Sequence, residues 1–347
     1  MCTVNDTSNV VDRFGVAVGR YLVTVANRRR QRIARAVGRA TTVSAMSAPP
    51  DVILAIDIGG PRLAAGLMTP RGELIDRTDI MVDPSCNAAE LFASLSSIVA
   101  EMRARAEEHH EVTIRAIGAG CAGPVAANLA TIRPDNLPGW WDFPMRQRLM
   151  DLVEVPVYGD IDAKALVLAE GWLGAAQGRS NFMALAVSTS VGGGVVLDGQ
   201  LLDGSTGNAG HIGHVVVEPN GRRCPCGSRG CLEAEASGRA IEAITGRPLT
   251  EPSYEIMQRT GDLVGNAVAS VCNLLDLDLV VVSGSVALGF GATFVNSAQT
   301  ALDRLSRLDF SRGSRIIPAR LGDQGSLIGA GAIGVRGLRR GNGRQRL

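Results

Sequence analysis

Three thiols and a carboxylate fall within ten residues, Cys224-Pro225-Cys226-Gly227-Ser228-Arg229-Gly230-Cys231-Leu232-Glu233, and His214 lies upstream in Gly210-His211-Ile212-Gly213-His214. One imidazole and three thiolates, His214, Cys224, Cys226 and Cys231, make a complete tetrahedral zinc set with no position left for a catalytic water. A closed site of that kind is structural. Any reaction nearby must then be carried by other side chains.

Two glycine-rich turns have the chemistry to hold phosphate. Asp57-Ile58-Gly59-Gly60 ends an apolar run over 52–58, so backbone N–H groups at Gly59 and Gly60 can approach phosphate oxygens while Asp57 orients a hydrated magnesium ion. Ser188-Thr189-Ser190-Val191-Gly192-Gly193-Gly194 repeats the pattern in the second half, where Thr189, Gly192 and Gly193 could bind further phosphate oxygens. Each is unspecific alone, but two on opposite walls of a cleft suit a nucleoside triphosphate. Asp160 stands between a strand expected at 155–158 and a helix expected to begin near Asp162. In an α/β protein that position faces a ligand. A carboxylate there can take the proton of a sugar hydroxyl as it attacks a γ-phosphoryl group. Position alone leaves a second reading open, in which Asp160 or Asp162 caps the helix.

The elements that must hold these groups are legible as two α/β halves. Apolar runs predict strands at 52–58, 63–68 and 73–78, a helix over 87–110 with apolar residues at 91, 95, 98, 99 and 102, and strands at 113–119 and 155–158. The second half reads as strands at 182–188 and 194–197, the cysteine loop, helices near 237–245, 254–275 and 292–307, and strands at 279–283 and 315–318. A last helix, 323–335, is expected to cross back onto the first half. This divides the chain into a basic extension (1–49), a small α/β domain (50–161, joined by a helix within 323–340) and a larger α/β domain (162–322) carrying the cysteine loop. Ligands are expected in the cleft between the halves.

Composition narrows the class. With 347 residues, 46% hydrophobic, 42 glycines and few aromatics, the chain is globular and rich in Ala, Val, Leu and Ile. No apolar run is long enough to span a bilayer, and the scattered cysteines do not form a disulfide framework, which fits the cytoplasm. The formal net charge of +1 conceals eight arginines against two aspartates in residues 1–47. That segment reads as a disordered or misassigned extension, with Met46 as an alternative start, or else as an amphipathic helix or a partner-binding arm. A zinc ribbon reading nucleic acid is disfavoured, because the cysteine loop carries Glu233 and lacks a basic, aromatic surface.

In order along the chain, Asp57-Ile58-Gly59-Gly60, Ala122-Gly123-Pro124-Val125, Pro134-Asp135-Asn136-Leu137-Pro138-Gly139-Trp140, Val155-Pro156-Val157 with Asp160, Val191-Gly192-Gly193-Gly194, Ala209-Gly210-His211-Ile212-Gly213-His214, the cysteine loop and Ser237-Gly238 resemble the ROK family of sugar kinases and transcriptional repressors over roughly residues 51–335. The resemblance implies an actin-like ATPase fold of the hexokinase type: two ribonuclease-H-like α/β domains closing on hexose and ATP, with Mg2+ and a structural Zn2+, in a homodimer or homotetramer. It implies Asp160 as general base and Asn136, His211, His214 and Glu233 around the sugar. Ser283-Gly284-Ser285 would meet the nucleotide. Zinc would fix the loop that aims His214 and Glu233.

The departures bear on substrate. Pro61 replaces a threonine of the first phosphate loop, and Ser188 and Ser190 replace glycines of the second. Gly159 stands where an asparagine is expected before the base, Asp162 replaces a second asparagine, and His211 replaces a sugar-binding glutamate. The expected activity is ATP-dependent phosphorylation of a hexose, of glucokinase type at the 6-hydroxyl. His211 opens the alternative of an N-acyl hexosamine or other sugar, and a catalytically weak sugar-binding regulator is the rival reading. His109 and His110 are expected to face solvent, Trp140 and Trp141 to pack, Glu170 to be structural and Cys121 to be a buried thiol.

Overall fold

Every residue of β1 (Asp51–Ile58) after Asp51 is buried, which makes it a central strand covered on both faces. In the computed structural model, which describes residues 49–134 and 136–341, β1 pairs antiparallel with β2 (Arg62–Met68) and parallel with β4 (Thr113–Cys121). β3 (Leu74–Met81) and β5 (Val157–Ile161) complete the order β3-β2-β1-β4-β5. Expectations for residues 1–47, and for Asp135, lie outside the described residues. Helix α1 (Ala88–Glu108) starts at an Asn87–Glu90 capping box and buries Leu91, Leu95, Ile98, Val99 and Met102. That stripe packs against Val52, Leu54, Ile56 and Ile58, one face of β1. A short helix, α2 (Met145–Val153), then leads into β5.

The plan repeats in a second five-stranded sheet, order β10-β9-β6-β7-β8, built from β6 (Phe182–Val187), β7 (Val191–Leu197), β8 (Gln200–Leu201), β9 (Leu279–Ser283) and β10 (Arg315–Pro318). Two short helices follow the cysteine loop, α4 (Leu232–Ala236) and α5 (Gly238–Thr245). The long helices α6 (Tyr254–Leu275) and α7 (Ser285–Leu305) pack on this sheet through Val264, Val268, Phe294 and Ala298. Helix α7 begins seven residues earlier than expected. Its first turns, Ser285-Val286-Ala287-Leu288-Gly289-Phe290-Gly291, end in a kink at Gly291 (φ 59°, ψ −137°), so the sequence signal of a continuous helix starts only after it.

Between the sheets lie α3 (Asp162–Trp172) and α8 (Gly325–Gly341). Helix α3 is buried almost all round, with Ala165, Val167 and Leu168 packed beside Phe182, Ala184 and Val281 of the second sheet and Ala332 and Ile333 of α8. Helix α8 covers the other face of the first sheet, placing Val335 against Ile53 and Leu327 and Ala330 against Ala55. Glycine makes this approach close enough: a Cβ on Gly118 would lie 2.0 Å from the Ala330 carbonyl oxygen, and one on Gly329 2.4 Å from that of Ala165. No helix among the described residues is long and apolar enough to cross a membrane. Gly118→Ala should therefore destabilise the protein by about 1–3 kcal/mol or more, read as a lower urea midpoint at unchanged m-value. An unchanged midpoint would mean that α8 is free to shift away from the sheet.

Candidate active site

Strand register decides which carboxylates meet. Asp57, Gly120 and Asp160 stand in one row across β1, β4 and β5, and Ile58, Cys121 and Ile161 stand in the next, on the opposite face. The head of α3 packs over the end of β4 at Gly120, where a Cβ would lie in ordinary contact, 3.7 Å from the Asp162 Cα. Asp162 consequently shares a buried pocket with Asp57. Burial pushes the Asp162 carboxyl up to about 7, and the charge of Asp57 acts in the same direction. Burial also raises Asp57, while a hydrogen bond from Ser326 and the Arg62 guanidinium, 3.7 Å away, act against it. Two carboxylates in one such pocket fit a divalent cation.

Neither aspartate caps the helix. The N-cap of α3 is Ile161, without a side-chain cap bond. Asp160 Oδ1 accepts from the Ile161 amide at 2.9 Å and Asp162 Oδ1 from the Ala163 amide at 2.6 Å, each a bond to the next residue only.

Asn136 closes the first glycine turn from above. Its Nδ2 donates to the Gly59 carbonyl at 3.4 Å, and a Cβ on residue 60 would come within 2.5 Å of that amide nitrogen. Gly60 also has φ +114°, so both space and backbone require glycine there. Asn136 Oδ1 is buried without a hydrogen-bond partner. A donor from a ligand would satisfy it. Pro61 lacks an N–H, and its carbonyl accepts from Val82 at 2.7 Å, tying the turn to the end of β3.

The opposite wall is assembled from the second sheet. The turn at 188–190 exposes Thr189 and lies against α5, with the Gly238 amide donating to the Ser188 carbonyl at 2.7 Å. Gly284 (φ +96°) ends β9 so tightly that a Cβ would lie 2.3 Å from the Val187 carbonyl oxygen, and Ser285 opens α7 with its hydroxyl 2.9 Å from that of Ser188. Ser283, Gly284, Ser285 and Ser188 thus meet at the head of a long helix, a setting suited to anions, with Thr189 exposed on the same turn beside α5. Gly192 and Gly193 differ from expectation. They lie within β7 and not in a turn, where Gly192 faces Ala163 of α3 and Gly193 faces Ile212 and the Gly210 carbonyl. The missing side chains of Gly192 and Gly194 let β7 lie on α3, and that of Gly193 lets it lie against the Gly210–Ile212 segment, a packing role in each case.

The cysteine loop is a hairpin bridged at Arg223 and Arg229. His214, Cys224, Cys226 and Cys231 offer four ligand atoms all within 4.8 Å of one another. Cys226 Sγ and Cys231 Sγ are 3.7 Å apart and Cys224 Sγ is 3.6 Å from His214 Nδ1, against the roughly 3.8 Å between sulfurs on a tetrahedral zinc. The donor set fits that ion. Helix α4 begins directly after Cys231, so Glu233 is carried on the hairpin's exit, and its Oε2 accepts from the Val191 amide at 2.6 Å. With Nδ1 turned to Cys224, the His214 ring stacks on His211 at a centroid distance of 4.9 Å. His211 Nε2 and Ile161 Cγ2 both lie within 3.8 Å of the point where a Gly123 Cβ would be. His211 and Ile161, the residue that precedes Asp162, thus both face Gly123.

Asp160 is engaged elsewhere. The buried Lys164 ammonium sits 3.1 Å from Asp160 Oδ1 and 2.9 Å from Asp203 Oδ1 and donates to the Gly207 carbonyl at 3.0 Å. Burial raises the Asp160 carboxyl, and Lys164 offsets part of that rise. This ion pair was missed from sequence, although a lone lysine four residues after an aspartate in an apolar helix is a readable signal. Also missed was the anchor of the hairpin: buried Glu235 accepts from the Arg222 amide and from Arg259 of α6, both at 2.6 Å. No local pattern announces a partner 24 residues away.

The remaining expectations divide. His110 does not simply face solvent, since its Nε2 lies 2.9 Å from Asp76 Oδ2. Trp140 is fully buried, but Trp141 is 64% exposed under the Arg133 guanidinium. Glu170 is structural, accepting from the Ala175, Arg320 and Leu321 amides, and Cys121 is a buried thiol.

A family model described as the ROK family matches residues 53–336. An N-acetylmannosamine kinase of Yersinia pseudotuberculosis is 35% identical over 254 residues, covering 69% of this chain and 84% of that one. Among solved structures, a ROK hexokinase from Thermus thermophilus superposes with a TM-score of 0.73 at 33% identity, covering 83% of this chain and 99% of the other. A ROK family glucokinase from Streptomyces griseus, in complex with glucose and AMPPNP, gives 0.69 at 25% identity over 82% and 99%. The two-sheet architecture is thus the actin-like ATPase fold of these enzymes, and the chain belongs to the ROK family as one of its sugar kinases.

Proposed function

We propose that this protein is an ATP-dependent kinase of an N-acyl hexosamine, transferring the γ-phosphoryl group to the sugar 6-hydroxyl with Asp162 as general base. The observation that carries the reading is the Asp162 carboxyl, pushed up to about 7 at the head of α3, one residue from where Ile161 and His211 converge. A base with that pKa is half ionised near neutrality, where it is effective in proton transfer. It takes this role in place of Asp160, which is neutralised by Lys164 in the neighbouring cavity. The N-acyl class is supported by the 35% identity to N-acetylmannosamine kinase and by an imidazole, His211, that can donate to an acyl carbonyl where a glutamate cannot. Glucose is the second reading, supported by the likeness to the glucokinase.

In this mechanism Asn136, His214 and Glu233 hold the sugar hydroxyls and His211 donates to the acyl carbonyl. The 6-oxygen attacks the γ-phosphorus, its proton passes to Asp162, and ADP departs along the wall formed by Thr189 and Ser283-Gly284-Ser285. Magnesium at Asp57, when bound, would neutralise charge on the phosphates. Zinc at His214, Cys224, Cys226 and Cys231 would keep His214 and Glu233 in place.

Asp162→Asn should lower kcat by about a hundred- to ten-thousandfold in an ADP-release assay, whereas Asp160→Asn keeps most of it; the opposite order would return the base to Asp160. In the wild type, kcat/KM should rise with pH up to about 7 and then level, because only ionised Asp162 accepts the proton. A rate flat from pH 5 to 8 would exclude that assignment. Removing zinc with a zinc-selective chelator, with Mg2+ kept in excess, should raise the sugar KM by about tenfold or more and leave the ATP KM nearly unchanged. Equal effects on both would mean that the hairpin does not serve the sugar. A screen across hexoses and N-acyl hexosamines identifies the substrate.

A further inference from the structure

Three cations meet the half-buried carboxylate of Asp203 outside the cleft. Arg336 and Arg340, one turn apart near the end of α8, both reach for Asp203 Oδ2, at 3.4 and 3.6 Å, while Lys164 holds Asp203 Oδ1. A well-formed guanidinium–carboxylate bond is about 2.7–2.9 Å, so a single carboxylate only loosely satisfies two guanidiniums. Burial lowers the pKa of Arg336, and the neighbouring charge of Arg340 lowers it further. With Asp160 counted, the cluster carries one net positive charge. It borders a cavity of about 470 Å3 between β5, α8 and the 203–207 loop, with Tyr158 on its wall. A volume of that order accommodates a small metabolite.

We propose that this cavity is a binding site for a phosphate group, which takes the place of Asp203 between Arg336 and Arg340. Guanidinium forks match phosphate oxygens in geometry and charge. The occupant is inorganic phosphate or the phosphate of a small phosphomonoester. Displacing Asp203 would free the loop at 203–207, which runs on to His211. Occupancy is thereby linked to the sugar side of the cleft.

Isothermal titration of the full chain with inorganic phosphate, and separately with a hexose 6-phosphate, tests this under saturating sugar and nonhydrolysable ATP analogue. Arg336→Gln/Arg340→Gln should weaken binding by about tenfold or more, with basal turnover unchanged. Asp203→Asn should tighten it, because the competing carboxylate is gone; a loop latch without a ligand predicts no such gain. Tighter binding of the hexose 6-phosphate than of phosphate identifies a phosphomonoester, and the reverse identifies the free ion. Absence of binding to the wild type, or equal affinity in wild type and Asp203→Asn, overturns the proposal. Neither arm depends on Asp162, so failure here leaves the kinase reading standing.

Discussion

Two carboxylates, Asp57 and Asp162, are buried in one pocket because β1 and α3 both end there. Their proximity is unfavourable by itself, since burial disfavours ionisation of both and the charge of Asp57 further disfavours that of Asp162. It is sustained by the apolar packing of α3 between the two sheets, which sets the head of the helix over Gly120 with little freedom to withdraw. The raised pKa follows from this placement. A cation bound between the two carboxylates would relieve the repulsion.

The second sheet supplies what surrounds these carboxylates. β7 lies on α3 through Gly192 and Gly194, which brings the loop of His211 toward Ile161. Three separate contacts restrain the segment from 203 to 236: the His214, Cys224, Cys226 and Cys231 cluster at the hairpin, the Glu235 pair with Arg259, and the Lys164 tie to Asp203 and Gly207. Removing any one leaves the other two, but each restrains a different part of the segment from 203 to 236. Lys164 is the anchor nearest Asp162, two residues beyond it on the same helix.

Much of this was readable in the residues. The strands at Leu279–Ser283 and Arg315–Pro318 and helix Tyr254–Leu275 lie where the apolar runs begin and end, and His214, Cys224, Cys226 and Cys231, read as a zinc set, form one cluster. The two aspartates were harder to separate. Positions 160 and 162 differ by two, which in a strand keeps a side chain on the same face, so alternation cannot discriminate between them. What distinguishes them is where β5 stops. It continues to Ile161, leaving Asp160 in the strand beside a lysine one helical turn on and Asp162 as the first helical residue. The glycines at 192–194 misled for a related reason: a glycine run reads as a turn, yet here it is a strand pressed against a helix. Glu235 and Arg259 are joined only by tertiary structure.

The central claim is most directly tested by a crystal structure of the protein with its sugar and a nonhydrolysable ATP analogue. The account predicts the accepting hydroxyl within hydrogen-bond distance of the Asp162 carboxylate and in line with the γ-phosphorus, with Asp160 still paired to Lys164. A hydroxyl seated on Asp160, with Asp162 remote from the sugar, would contradict it.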